Sequence, residues 1–134
     1  LDVHETGSRP DIIRTLLLIL ESRYKGVGTL SFGYGDEELA IEGVDTLAIL
    51  YNLGLLVDAR FVKGRVTATG EFMMEGMTWA GHDFLDSVRD EEIWRRTEEG
   101  VSAAGGFTFD LVKALAKGFL QKKVEGLTGI DLAL

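Results

Sequence analysis

The chain has 134 residues, of which 46% are hydrophobic and 27% charged, the size and composition of one globular domain rather than of a disordered chain. It contains no cysteine, so disulfides, thiolate nucleophiles and cysteine-ligated zinc are excluded. Its 22 acidic residues exceed its 14 basic ones, giving a formal net charge of −8. This balance disfavours binding to phosphates unless the basic residues are concentrated in one patch.

The longest apolar run extends from Leu16 to Leu20, whereas a membrane-spanning helix needs about 20 apolar residues. Nothing in the sequence resembles a signal peptide. We therefore expect a cytoplasmic protein without a membrane partner.

The first predicted element is a helix that follows a polar lead-in at residues 1–9. Pro10 suits the first helical turn, where its missing N–H is not needed, and Gly26 ends the helix near Tyr24. The apolar residues of this helix cover more than one face, which predicts packing on two sides. They are Ile12, Ile13, Leu16, Leu17, Ile19 and Leu20.

The segment from Gly26 to Gly43 contains five glycines and predicts one or two short strands, at Leu30–Phe32 and Leu39–Ile41. It holds neither of the glycine patterns that bind phosphates, and its acidic residues would repel an anion. The glycines therefore indicate turns.

The next predicted helix begins after Asp45, a suitable N-cap, and covers Thr46–Leu53, with Gly54 as its left-handed stop. Its inward residues are predicted to be Leu47, Leu50 and Tyr51. A β-hairpin follows, with strands at Leu55–Val62 and Arg65–Met74. These strands are joined through Lys63–Gly64, which places basic residues at the tip.

The stretch from Met77 to Trp94 predicts a return helix that packs the hairpin onto the core through Phe84, Leu85 and Val88. The apolar period breaks near Asp90, a plausible new N-cap. We interpret both tryptophans of this region, Trp79 and Trp94, as core anchors.

Two further helices complete the chain. The first buries a face formed by Ile93, Trp94, Thr97 and Val101. The second is capped by Thr108 and presents Leu111, Leu115 and Phe119 on one side. Residues 126–134 are predicted to form a tail, so the sequence indicates one domain over residues 10–125.

This order of elements predicts an α+β fold of the winged-helix type, made of helix, short strand, helix, β-hairpin wing and return helix, with additional C-terminal helices. A complete helix-turn-helix needs two helices between the first strand and the wing. The segment Gly35–Ala40 would have to supply the first of them as a single turn.

Four segments of the chain, in order, resemble the family called domain of unknown function 2513, often encoded by phages and prophages. They are RPDIIRTLLLILE, IEGVDTLAILYNLGLL, MTWAGHDFLDSVRDEEIW and GGFTFDLVKALAKGFL. The resemblance implies a winged-helix-like fold and a mobile-element origin. It does not bring a known activity, and so it assigns no catalytic or binding residues. The glycine-rich insert before Glu42 departs from the shorter family pattern.

An acidic interaction face is the first candidate site, because the segment from Gly26 to Ala59 holds no lysine or arginine. The residues of this face are Asp36, Glu37, Glu38, Glu42 and Asp45. A surface of this charge would repel DNA where a recognition helix makes contact. Asn52 could contact adenine, but beside a helix stop it is more often a capping or turn residue.

A nucleic-acid contact through the wing is the alternative, with Arg60, Lys63 and Arg65 as its basic residues. The C-terminal lysines would assist it, namely Lys113, Lys117, Lys122 and Lys123. Solvated charge on amphipathic elements is the simpler interpretation of both groups.

His82 and Asp86 are spaced to meet on one helix face, as half of a metal site or as a base with its orienting carboxylate. Because no further ligand or nucleophile accompanies them, we expect a local hydrogen bond. We predict no catalytic residue, no metal and no cofactor.

The sequence therefore favours a non-enzymatic protein that acts through contacts with a host protein. An acidic face of this kind could imitate nucleic acid and modulate a nucleic-acid-handling or defence protein. A DNA-binding transcriptional regulator is the alternative. A homodimer is the commonest assembly and stays open.

Overall fold

A computed structural model describes residues 9–132 and shows an α+β fold. The described part contains five α-helices, one 3-10 helix and a three-stranded antiparallel sheet. In chain order the elements are α1 (Arg9–Arg23), β1 (Leu30–Phe32), the 3-10 helix (Glu37–Leu39), α2 (Thr46–Asp58), β2 (Val62–Val66), β3 (Phe72–Met77), α3 (Trp79–Val88), α4 (Glu91–Ala104) and α5 (Phe109–Thr128). The lead-in predicted at residues 1–9 lies outside the described residues except for Arg9, which begins α1.

The chain divides into two compact units, one up to Asp83 and the other from Phe84 onward. The boundary falls inside α3. The single domain expected over residues 10–125 stays a prediction. No helix within residues 9–132 combines the length and the apolarity needed to cross a membrane.

In the first unit, α1 packs against α2 and touches the 3-10 helix. Its buried residues are Ile12, Ile13, Leu16, Leu17 and Leu20, five of the six predicted, whereas Ile19 is half-buried. Because these positions repeat at three- and four-residue intervals, they form one wide apolar stripe. Tyr24 lies one residue beyond the end of α1, which confirms the predicted end of the helix.

The sheet has the strand order β1-β3-β2, so β3 is the central strand. Phe32 and Phe72 are opposite each other in adjacent strands, and their ring centroids are 6.4 Å apart. Both rings are buried, so this pair anchors the sheet to the core.

The predicted position of the hairpin turn was wrong. Lys63 and Gly64 lie within β2, where they form a β-bulge opposite β3. A side chain at position 64 would collide with the backbone of Met73. Glycine is therefore needed there because the two strands lie close together at the bulge. The turn follows Thr67, whose N–H donates to Glu71 O at 2.8 Å.

The predicted end of α2 was also wrong, because the helix continues through Gly54 to Asp58. Gly54 does not have a positive φ, so it is not a left-handed stop. The residues that face inward are Ile49, Asn52, Leu53 and Leu56. They extend an apolar face through the last turn, which stabilises the helix beyond the glycine. Leu47 and Tyr51 consequently point outward.

In the second unit, α4 packs against α5. Asp90 accepts from Ile93 N at 3.0 Å and caps α4, which confirms the predicted break. The predicted face of α4 is also confirmed, because Ile93, Trp94, Thr97 and Val101 are all buried. Phe84 is buried and meets the ring of Phe109 edge to face, with 5.7 Å between centroids.

Thr108 accepts from Leu111 N at 3.0 Å and caps α5, as predicted. The helix buries Val112 and Ala116, so the predicted stripe of Leu111, Leu115 and Phe119 forms its half-buried flank. It continues through Gly126 and ends with Gly129 in the left-handed conformation. The helix therefore extends into the predicted tail.

Candidate protein-interaction surface on α2

Two residues of the predicted acidic face are helix caps. The side chain of Asp36 accepts from Glu38 N at 2.9 Å and begins the 3-10 helix. The side chain of Asp45 accepts from Ala48 N at 2.8 Å and begins α2. Each carboxylate accepts a hydrogen bond from a backbone N–H of the first helical turn, which has no partner within the helix. Both residues therefore have a structural role besides their charge.

The other three acidic residues are exposed, and one of them is neutralised. Arg23 Nε lies 2.9 Å from Glu38 Oε2, and both side chains are about half exposed. Glu37 and Glu42 extend into solvent. The acidic segment alone does not reveal this partner, because Arg23 lies outside it in the sequence. The packing of α1 against the 3-10 helix brings Arg23 next to Glu38.

A small cavity of about 60 Å³ joins the acidic segment to α2. Asp36 and Leu39 line it from the segment of the 3-10 helix, and Thr46 and Leu50 line it from the first turns of α2. The carboxylate of Asp36 and the apolar side chain of Leu50 thus border one depression. The acidic segment therefore lies next to the first turns of α2.

The outer face of α2 is apolar. Leu47 is 69% exposed and Tyr51 63% exposed, although both were predicted to face the core. Leu50, Gly54 and Leu55 beside them are half-buried. Because residues three, four and seven apart share a helix face, these side chains form a stripe that ends at the exposed Asp58. We call this set of residues the α2 stripe: Leu47, Leu50, Tyr51, Gly54, Leu55 and Asp58.

Gly54 lies in the middle of the α2 stripe. A Cβ atom added there would meet no atom within 4 Å, and the backbone does not need a positive φ. Glycine in a helix interior costs about 1 kcal/mol relative to alanine. Neither the packing nor the backbone conformation of the described residues explains this glycine.

The basic residues predicted for the wing lie on its base and along its strand. Arg60 connects α2 to β2 with a φ of 63°. Lys63 lines a cleft together with Glu21 and Glu75, and Arg65 Nη2 lies 3.7 Å from Met73 Sδ. The turn of the hairpin carries hydroxyls and Glu71 instead. A basic wing tip was therefore a wrong prediction.

Asn52 is 5% exposed and lies in the middle of α2. Its Nδ2 donates to Ala48 O at 2.8 Å, and its Oδ1 accepts no hydrogen bond from the described residues. Asn52 is thus neither a cap nor a turn residue, and its side chain is buried on the inner face of α2.

The two tryptophans have opposite environments. Trp94 is 5% exposed and belongs to the core of the second unit, as predicted, whereas Trp79 is 87% exposed and is not a core anchor. Trp79 occupies the first turn of α3, next to Thr78, whose hydroxyl accepts from Gly81 N at 3.0 Å.

His82 and Asp86 each have another partner. His82 Nδ1 is 3.8 Å from Glu21 Oε2, at the edge of a cleft of about 400 Å³. Asp86 accepts from Arg89 Nη2 at 2.8 Å. Among residues 9–132, no group of three or more histidine, aspartate or glutamate residues could hold a metal ion.

The C-terminal lysines are distributed along α5. Lys123 Nζ lies 2.6 Å from Asp90 Oδ2, an ion pair within its own unit. Lys117 and Lys122 are exposed, and Lys113 is half-buried.

The fold and this surface define a small α+β protein whose second helix presents an apolar stripe beside acidic residues. The family described as "Hypothetical protein (DUF2513)" matches the chain over residues 9–107. The chain therefore belongs to this family, as the resemblance of its segments indicated. No curated protein and no solved structure matches the chain.

Proposed function

We propose that this protein is a winged-helix-like, non-enzymatic protein of phage or prophage origin that acts through protein contacts. Its partner in this proposal is a host protein that handles nucleic acids or serves in defence. The exposed apolar face of α2, beside a segment rich in carboxylates, is the observation that carries the proposal.

The order of elements supports the winged-helix comparison. The 3-10 helix and α2 stand between β1 and the hairpin, where a helix-turn-helix has its two helices. The hairpin of β2 and β3 pairs with β1 along β3, the central strand of the sheet. In this comparison α2 takes the place of the recognition helix and β2–β3 that of the wing.

The outer face of α2 is suited to a protein partner rather than to DNA. A recognition helix holds DNA through arginine, lysine and polar side chains, but α2 exposes Leu47 and Tyr51 and contains no basic residue. Exposed aromatic and aliphatic side chains are typical of the centre of protein interfaces. The neighbouring carboxylates would add repulsion from phosphates.

The alternative is a DNA-binding regulator. It is supported by the exposure of Arg60, Lys63 and Arg65 around the hairpin. The exposed lysines of α5 would provide further phosphate contacts in this alternative.

Binding of labelled duplex DNA across a salt series, with the mass in solution recorded on the same sample, tests the proposal. We expect no binding at low salt. Tight binding that weakens steeply with salt, and that is lost in a Lys63→Ala, Arg65→Ala double variant, would overturn the proposal in favour of the regulator. The Arg95→Ala, Arg96→Ala double variant, which removes two exposed basic side chains of α4, controls for a general change in charge.

A further inference from the structure

The outer face of α2 contains a depression with the geometry of a coiled-coil contact. Leu47, Leu50, Tyr51 and Gly54 are spaced at i, i+3, i+4 and i+7. Four residues at this spacing form the hole that receives one side chain, or knob, from a facing helix. Leu47 and Tyr51 are exposed and the other two are half-buried, so the hole opens to solvent.

Gly54 forms one corner of this hole. Nothing lies within 4 Å of the position that its Cβ would occupy, and its backbone is ordinary helix. The missing side chain therefore leaves open space on the outside of the helix. Glycine at a helix contact lets the backbone of a second helix approach closely. Such a contact would explain why glycine occupies position 54, where the packing of the chain itself does not require it.

The charges around the hole indicate what kind of helix would fit. The exposed carboxylates Glu42 and Asp45 lie at the start of α2, and Asp58 lies in its last turn. The ends of this helix are separated by about 20 Å, since a helix rises 1.5 Å per residue. The stretch from Gly26 to Ala59 contains no basic residue, and the arginine that reaches it from α1, Arg23, pairs with Glu38.

We infer that the α2 stripe binds a basic amphipathic helix of the partner protein, with an apolar side chain of that helix inserted over Gly54. Lysine or arginine residues beside the inserted side chain would face the carboxylates at the two ends of α2. A second copy of this chain is a poorer occupant, because a symmetric contact through α2 would bring the same carboxylates together. This inference rests on the proposed function and specifies the chemistry of its partner.

A defined peptide tests the inference without knowledge of the natural partner. The probe is a labelled synthetic three-heptad peptide with leucine at the a and d positions and lysine elsewhere, and binding is followed by fluorescence anisotropy. One comparison peptide has glutamate in place of lysine, and another has serine in place of leucine. We expect only the leucine-lysine peptide to bind.

Gly54→Ala is the decisive variant because its effects on stability and on binding should be opposite. Alanine favours the helix and should raise the midpoint of thermal unfolding by about 3 to 6 °C. Its methyl group fills the hole and should weaken peptide binding by roughly tenfold. Gly118→Ala is the matched control, since Gly118 is also an interior helix glycine with open space around its Cβ position. It should stabilise the protein and leave binding unchanged.

The contribution of charge is tested by a Glu37→Gln, Glu42→Gln, Asp45→Asn triple variant. Asparagine at position 45 keeps the helix cap while removing its charge. We expect weaker binding of the leucine-lysine peptide, and a smaller effect from Glu91→Gln with Glu92→Gln, which removes exposed carboxylates of α4.

Four results would overturn the inference. They are absence of binding, equal binding by the Gly54→Ala variant, equal losses in the two charge variants, and a doubled mass in solution that Gly54→Ala abolishes. The last result would assign the stripe to a second copy of the chain. If the protein binds neither the peptide nor DNA, the inferred helical partner is rejected and the proposed function is not. Salt-dependent DNA binding instead rejects the proposed function itself.

Discussion

The hydroxyl of Thr78 donates a hydrogen bond to the carbonyl oxygen of Arg60 at 2.5 Å. The same oxygen of Thr78 accepts from Gly81 N at 3.0 Å, and Thr78 N donates to Phe61 O at 3.0 Å. One side chain therefore caps the first turn of α3 and fastens it to the residues that connect α2 to β2. Arg60 itself has a φ of 63°, a conformation that few residues other than glycine adopt.

Replacing Thr78 tests this double role. Thr78→Val keeps the shape of the side chain and removes the hydroxyl, so we expect the free energy of unfolding to fall by about 2 kcal/mol. Thr78→Ser, which retains the hydroxyl, should lose less than half as much. Urea denaturation followed by circular dichroism measures both, and equal losses in the two variants would contradict the hydrogen-bonding role.

Gly81 is required by close packing. A Cβ atom at this position would collide with the carbonyl group of Phe61 and lie 2.9 Å from Met77 Cγ. We expect Gly81→Ala to lower the free energy of unfolding by roughly 2 kcal/mol or more. Gly118→Ala, made where there is open space, should instead raise it by up to about 1 kcal/mol. Denaturant midpoints of the two variants on opposite sides of the wild-type value are the expected result.

The two tryptophans should differ sharply in their effect on stability. Trp94→Ala removes a buried side chain, and we expect a loss of about 3 to 5 kcal/mol. Trp79→Ala changes an exposed side chain and should alter stability by no more than about 0.5 kcal/mol. Thermal unfolding of the two variants compares them directly. A large loss in Trp79→Ala would show that this side chain is packed in solution.

The ion pair of Asp90 and Lys123 should be visible in a titration. The hydrogen bond from Lys123 and the one from Ile93 N hold the pKa of the Asp90 carboxyl below its ordinary value of 3.8. The hydrogen bond to Asp90 raises the pKa of Lys123 above 10.5. NMR titration of Asp90 in a Lys123→Met variant should show its pKa moving up towards 3.8. An unchanged pKa would mean that the pair does not form.

The direction of both pKa shifts sets the pH range over which the pair contributes to stability. A carboxyl with a lowered pKa stabilises the folded state above its unfolded value, and this contribution is lost as the pH falls through the folded value. An amine with a raised pKa contributes below its unfolded value and loses this contribution as the pH rises through the folded value. The difference in stability between wild type and Lys123→Met should therefore be largest from about pH 4 to pH 10 and shrink on either side. A difference independent of pH would contradict this linkage.

The helix boundaries that depend on local chemistry were predictable from the sequence. Asp45, Asp90 and Thr108 each cap the predicted helix, because capping needs only a suitable side chain and the N–H groups of the next turn. The buried face of α4 was predictable as well, since its apolar residues occupy one side and charged residues the other.

The face of α2 that points inward was decided by the tertiary structure. This helix is apolar on nearly all sides, so its periodicity is compatible with burial of Leu47 and Tyr51 or of Ile49 and Leu53. Its packing against α1 and β2 selects the second pair. The exposed stripe, which carries the proposed function, follows from that selection.

The hairpin shows the same division. A hairpin was predictable, but its strands were misplaced: most of the predicted strand Leu55–Val62 belongs to α2 or to the connection after it, and β2 begins at Val62. Lys63–Gly64 has the local character of a turn and lies in a β-bulge instead. Likewise, the large apolar side chain of Trp79 predicts burial, whereas in the fold it is exposed at the first turn of α3. Caps and one-sided helices depend on neighbours in the sequence, and the sequence alone determined them. Register, bulge and orientation depend on residues that are distant along the chain, and only the folded structure brings those together.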